Sequence, residues 1–167
     1  QAIKLVFENL ESSVKNADFE SREKMHNAST MAGMAFANAF LGMSHSMAHK
    51  IGGFFHTVHG RTNAILLPYV IRYNGTRPAK AATWPKYNYY KADVKFQDIA
   101  KMLGLPASTP EEAVDALAKA VYDLGVRVGI DMSIKGQGVD EKEYMDTVEE
   151  IAYLAYEDQC SPANPRL

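Results

Sequence analysis

Four of the five histidines of this chain, His45, His49, His56 and His59, fall inside the single stretch from Gly42 to Gly60. Imidazole titrates near neutral pH and offers a nitrogen lone pair, so it serves both as a proton carrier and as the commonest protein ligand for a divalent transition metal. His45 and His49 are four residues apart, which on a helix places both rings on one face about one turn from each other. Between them stand Ser46, Met47 and Ala48, none of which competes as a ligand for a hard or borderline ion. Two readings follow from this spacing: a metal-holding or proton-moving face, or imidazoles hydrogen-bonded inside a helical core.

The pair does not have the surroundings that peptide hydrolysis needs. In the zinc peptidase helix a glutamate base follows the first His, and Ser46 stands there instead. The long form of that motif places a third His six residues after the second, where this chain has Phe55.

What must position the histidines is a set of helices. No β-alternation, internal repeat or glycine-rich phosphate loop is present, and the expected fold class is all-α, with six or seven helices. Ala2 to Lys15 reads as an amphipathic helix with Ile3, Phe7, Leu10 and Val14 on one face, ended by Asn16 and Asp18. That helix has no capping residue before it, so the chain is expected to start within a helix, as a piece of a longer protein. A second helix is expected from Ser21 with little interruption to about Lys50, buried on all sides between Ala32 and Gly42 and forming the central column of the domain. Gly52-Gly53 are expected to break it, with Phe54-Phe55 anchoring the loop that returns His59 towards His45. Met31, Met34, Met43 and Met47 read as core gap-fillers, and His26 as a surface residue.

Further on, Arg61 to about Tyr73 reads as a buried helix, kinked or shortened by Pro68. Residues 75–91, with Trp84, Tyr87, Tyr89 and Tyr90, read as a loop packed on the surface or against a partner subunit. Asp93 to Leu103 reads as a helix stopped by Gly104; Thr109 caps another that runs to about Val128, and Asp140 with Glu143 opens a last one to about Tyr156.

The chain has 167 residues, 47% of them hydrophobic, and a formal net charge of −2 from 18 basic and 20 acidic residues. That is enough to bury a core, and the balance leaves no electrostatic footprint for nucleic acid or an anionic membrane. The longest apolar run, Met31 to Met43, is too short for a bilayer span. One cysteine, Cys160, excludes an internal disulfide, and the expected location is cytoplasmic.

The run Ala32-Gly33-Met34-Ala35-Phe36-Ala37-Asn38-Ala39-Phe40-Leu41-Gly42, followed by His45, His49, Gly52-Gly53, His59-Gly60 and Asn63-Ala64-Ile65-Leu66-Leu67-Pro68, resembles the signature of the iron-containing (group III) alcohol dehydrogenases. The similarity extends over Gln1 to Leu167 and is greatest to the C-terminal helical part of the alcohol dehydrogenase half of the bifunctional aldehyde-alcohol dehydrogenases. The resemblance implies NAD-dependent interconversion of an alcohol and an aldehyde, acetaldehyde and ethanol among them, with Fe2+ or Zn2+ as Lewis acid. It implies that His45 and His59 are two of the metal ligands, that an Asp-x-x-x-His pair absent from this chain supplies the others, and that His49 is a nearby non-ligand and candidate proton relay. His56 has no role in that pattern and is expected to pack in a loop or face solvent. NAD(H) would be held mainly by an N-terminal α/β domain outside this chain, so residues 1–167 would be a helical metal-binding domain, inactive alone. The partners implied are the alcohol or aldehyde substrate, the rest of the parent enzyme, and further copies in a homo-oligomer or filament. Against this stands a second reading, a catalytically inert folded module that serves assembly.

Overall fold

A computed structural model describes residues 1–78 and 90–166. Seven α-helices are found among the described residues: α1 (Ala2–Lys15), α2 (Phe19–Ala39), α3 (Met43–Phe55), α4 (His59–Gly75), α5 (Ala92–Met102), α6 (Pro110–Arg127) and α7 (Glu141–Tyr156). Two short 3-10 turns, Lys135–Gln137 and Ser161–Ala163, complete them. The all-α expectation holds, and none of the described helices is long and apolar enough to cross a membrane.

The helix starts follow side-chain chemistry. A helix leaves its first N–H groups without partners, and a short polar side chain just ahead of it accepts from them. Asp18 accepts from Ser21 N at 2.9 Å, Thr109 from Glu112 N at 3.2 Å, and Asp140 from Glu143 N at 3.0 Å. The Ser21 hydroxyl and backbone N–H, with Ser12, hold the Asp18 carboxyl down at about 2. Helix α5 stops where Gly104 adopts φ +70° and lets Leu105 N reach back to Ala100 O at 2.9 Å, a turn that a side chain with a Cβ adopts only under strain.

Helix α4 is the central element, packing on α3, α5 and α6. Ile71 of α4 meets Val114, Leu117 and Ala118 of α6, and Phe96, Ile99, Leu103, Leu105 and Val121 close over them. Gly75, at the end of α4, lies so close to α6 that an added Cβ would come within 2.4 Å of a Val114 methyl carbon. Valine is stiff at χ1 and is held by the same cluster, so the contact cannot be relieved by a rotamer change alone. Gly75→Ala is therefore expected to lower stability by about 1–3 kcal/mol, measured as an earlier urea midpoint with unchanged slope.

Several expectations for residues 19 to 75 need correction. The single helix from Ser21 to about Lys50 is two helices, parted at Phe40-Leu41-Gly42, where Phe40 takes φ 65° and ψ −177°. Gly52-Gly53 do not end α3; it continues to Phe55, and the reversal falls on His56, which caps the helix in the left-handed conformation at φ 53°. Helix α4 already starts at His59 and continues past Pro68 to Gly75. The segment from Ala32 to Phe40 is not buried all round: Met34, Phe36 and Phe40 are 58%, 48% and 52% exposed. Helix α2 packs chiefly on α1, and apolar composition buries a helix only where a neighbour is present to cover it. Of the loop expected at 75–91, residues 79–89, with Trp84, Tyr87 and Tyr89, lie outside the described residues.

Candidate metal and proton-transfer site

Helices α3 and α4 form a hairpin whose turn is His56-Thr57-Val58, and this hairpin carries all the histidines of interest. The turn is fixed from within: Thr62 donates to Val58 O at 3.1 Å, its hydroxyl lies 2.8 Å from that of Thr57, and Gln137 Nε2 donates to it at 3.1 Å. Thr62 is fully buried, which makes these bonds the anchor of the first turn of α4. His59, the first residue of that turn, is thereby set opposite His45 and His49, while His56 caps α3 in the turn itself; both His56 and His59 are exposed.

The three rings converge. Ring centres of His45 and His59 are 5.4 Å apart, those of His49 and His59 5.4 Å with planes at 15°, and those of His45 and His49 6.1 Å. An ion about 2.1 Å from each ligating nitrogen sits about 3.2 Å from each ring centre, so two imidazoles around a tetrahedral ion have centres about 5.2 Å apart. His45 with His59 and His49 with His59, both at 5.4 Å, fit that spacing, and the same-helix pair His45 with His49 fits it less well. The donor set therefore suits a borderline divalent ion such as Fe2+ or Zn2+.

Protonation favours ligation at His45. Burial pushes its imidazole below the usual histidine range, and the neighbouring His59 and His49 push it further, so the neutral, lone-pair-bearing form prevails at pH 7. Asn63, one turn after His59, has its amide nitrogen 3.2 Å from His59 Nε2 and donates to His59 O, while its Oδ1 accepts from Ser44 on α3 at 3.0 Å. This amide holds the His59 ring against the α3 face.

Sequence reasoning missed the C-terminal tail. After α7 the chain folds back over α3 and α4, pinned by a reciprocal pair of amide bonds: Asn74 Nδ2 to Asn164 Oδ1 at 3.1 Å and Asn164 Nδ2 to Asn74 Oδ1 at 2.8 Å. Arg166 donates to Tyr73 O at 2.8 Å with its guanidinium 4.2 Å over the Tyr73 ring, and Ser161 donates to Ser46 of α3 at 3.0 Å. The fold-back delivers Asp158 to the histidines. Its Oδ2 lies 3.3 Å from His49 Nδ1 and 2.9 Å from Lys50 Nζ, and its Oδ1 accepts from Cys160 N at 3.0 Å. Its one signal in the sequence is a set of polar residues, Asp158, Ser161 and Asn164, in a proline-containing stretch that helix propensity does not claim.

His49, Asp158 and Cys160 lie close enough together to suggest a metal site of their own, but the chemistry is against it. Lys50 already supplies the cation. Burial and the adjacent Asp158 carboxylate both push the Cys160 thiol up, away from the thiolate a metal requires. Burial alone would also raise the Asp158 carboxyl, yet the Cys160 N–H, the Lys50 ammonium and His49 together hold it well below the usual carboxylate range.

Comparison with known proteins agrees with this architecture. The pattern described as "Fe-containing alcohol dehydrogenase family, C-terminal" matches residues 1–167. The aldehyde-alcohol dehydrogenase of Streptococcus pneumoniae serotype 2 (strain D39) is 81% identical over 167 residues, which are 100% of this chain and 19% of that protein. The bifunctional aldehyde-alcohol dehydrogenase of Escherichia coli K12 is 41% identical over 171 residues, covering 99% of this chain and 19% of its own length. Among solved structures, an alcohol dehydrogenase from Oenococcus oeni superposes with a TM-score of 0.84 at 32% identity, over 99% of this chain and 39% of that one. The chain thus spans about a fifth of the length of the aldehyde-alcohol dehydrogenases it matches. It belongs to the iron-containing alcohol dehydrogenase family, of which it carries the C-terminal helical region.

Proposed function

We propose that this chain is the metal-holding helical part of a longer NAD-dependent enzyme that interconverts ethanol and acetaldehyde. The observation that carries the reading is the convergence of His45, His49 and His59 from two helices, with His45 and His49 each at a separation from His59 that suits two ligands of one ion; the Asp158 contact sets His49 apart. His45 and His59 hold the ion, and an upstream Asp and His of the parent protein complete its shell. When bound, the ion supplies Lewis-acid polarisation of the substrate oxygen, and NAD accepts the hydride.

The chain's own residues then divide the remaining work. His49, with Nδ1 facing Asp158, keeps Nε2 free to take the hydroxyl proton of the alcohol as the carbon-bound hydrogen leaves as hydride. Asn63 and the Thr57-Thr62-Gln137 set hold His59, and burial keeps His45 neutral for ligation.

Chelation tests the reading directly. In the complete enzyme, removing the metal with a strong chelator is expected to abolish NAD-dependent ethanol oxidation, and ferrous or zinc ions are expected to restore it. Full turnover by verified metal-free protein would refute the assignment.

A further inference from the structure

We propose that Asp158 is a positioning residue for His49: it fixes the imidazole with its proton on Nδ1 and its free lone pair on Nε2. The proposal rests on the proton-relay role given to His49 above. The carboxylate comes from a segment 109 residues away in sequence, and its side chain is only 7% exposed. Burying a charge is costly unless it is paired and hydrogen-bonded, and this one is satisfied on every side that the fold presents to it. Lys50 pairs with Oδ2 at 2.9 Å and Cys160 N–H binds Oδ1 at 3.0 Å, so the carboxylate cannot rotate. The position left to His49 is at 3.3 Å, at the long end for an N–H···O bond. An ionised carboxylate only accepts hydrogen bonds, so the ring nitrogen facing it must be the donor, which in the neutral imidazole leaves Nε2 as the acceptor.

The same arrangement makes the isosteric amide the informative variant. In Asp158→Asn either orientation of the amide sets donor against donor: its NH2 faces Cys160 N–H in one, and Lys50 Nζ together with His49 Nδ1 in the other. The amide carries no charge for Lys50 and cannot satisfy Cys160 N–H, Lys50 and a His49 Nδ1–H at once, so the hold on the His49 proton is lost. Shape is preserved and the control of the tautomer is removed.

The experiment uses the complete enzyme with metal and NAD, and compares Asp158→Asn, Asp158→Ala, His49→Ala and the double variant Asp158→Asn/His49→Ala. Metal per subunit is expected to stay at the wild-type level in all four. With Asp158→Asn, kcat is expected to fall about a hundredfold or more with little change in the ethanol KM, at least as far as with Asp158→Ala. On the His49→Ala background the Asn substitution is expected to cost nothing further, since its effect passes through that ring. Crystal structures of the metal-free variants give a readout independent of turnover: the His49 ring stays near-parallel to His59 in Asp158→Asn and turns away in Asp158→Ala. Near-normal kcat in Asp158→Asn would assign the carboxylate to packing alone and overturn the proposal, as would an undiminished drop on the His49→Ala background or an unmoved ring in Asp158→Ala. Should His49→Ala itself leave kcat unchanged, it is the role of His49 that fails, and the two failures are told apart by that one variant.

Discussion

In the complete enzyme, His45→Ala or His59→Ala is expected to lower metal affinity by more than about a hundredfold, because loss of even an outer-shell partner of a ligand costs ten- to a hundredfold and these side chains are the proposed ligands themselves. Each would donate one nitrogen to the ion, and a site of three or four protein ligands would have none to spare. The two rings come from different helices, His45 from α3 and His59 from the first turn of α4, and the one further imidazole beside them, His49, has its Nδ1 engaged by Asp158. Metal per subunit after dialysis and the rate at saturating ethanol and NAD are therefore expected to fall together, and added ferrous ion should recover only part of the rate. His56→Ala should change neither quantity. Retention of stoichiometric metal by His45→Ala would show that His49 takes its place, and the division of roles along α3 would be wrong.

His49→Ala is expected to separate the two quantities. Metal content should stay near that of the unaltered enzyme while the rate falls by about a hundredfold to ten-thousandfold, the range typical of a lost general acid-base group. The physical basis is that His45 and His49 are both 5.4 Å from His59 between ring centres but 6.1 Å from each other, too wide to be joint ligands of one tetrahedral ion, and that it is His49 whose Nδ1 is engaged by Asp158. A variant as metal-poor as His45→Ala would show that both histidines of the helix are ligands. Measured side by side, metal per subunit and kcat for the three alanine variants place each imidazole in its role.

Much of this protein was determined locally and could therefore be read from the chain. Caps at Thr109 and Asp140, the stop at Gly104 and the period of the apolar residues in α1 and α6 act over a few residues, so the all-helical class and most helix ends were legible. The close set of His45, His49 and His59 was legible too, because a helix-turn-helix hairpin brings its own ends together over a short stretch.

What depended on neighbours was not legible. The apolar stretch of α2 has the composition of a core helix, yet Phe36 and Phe40 are about half exposed because only α1 covers the helix to any extent. Gly52-Gly53 have the composition of a break, but α3 runs through them, since a glycine's cost of about 1 kcal/mol in a helix is small beside the packing that holds this one. Asp158 carries no periodicity and no spacing relative to the adjacent pair His49-Lys50 that a sequence could show. Their meeting depends on the tail folding back across α3 and α4 through Asn74, Asn164 and Arg166, contacts between residues some ninety positions apart that exist only once the helices have packed.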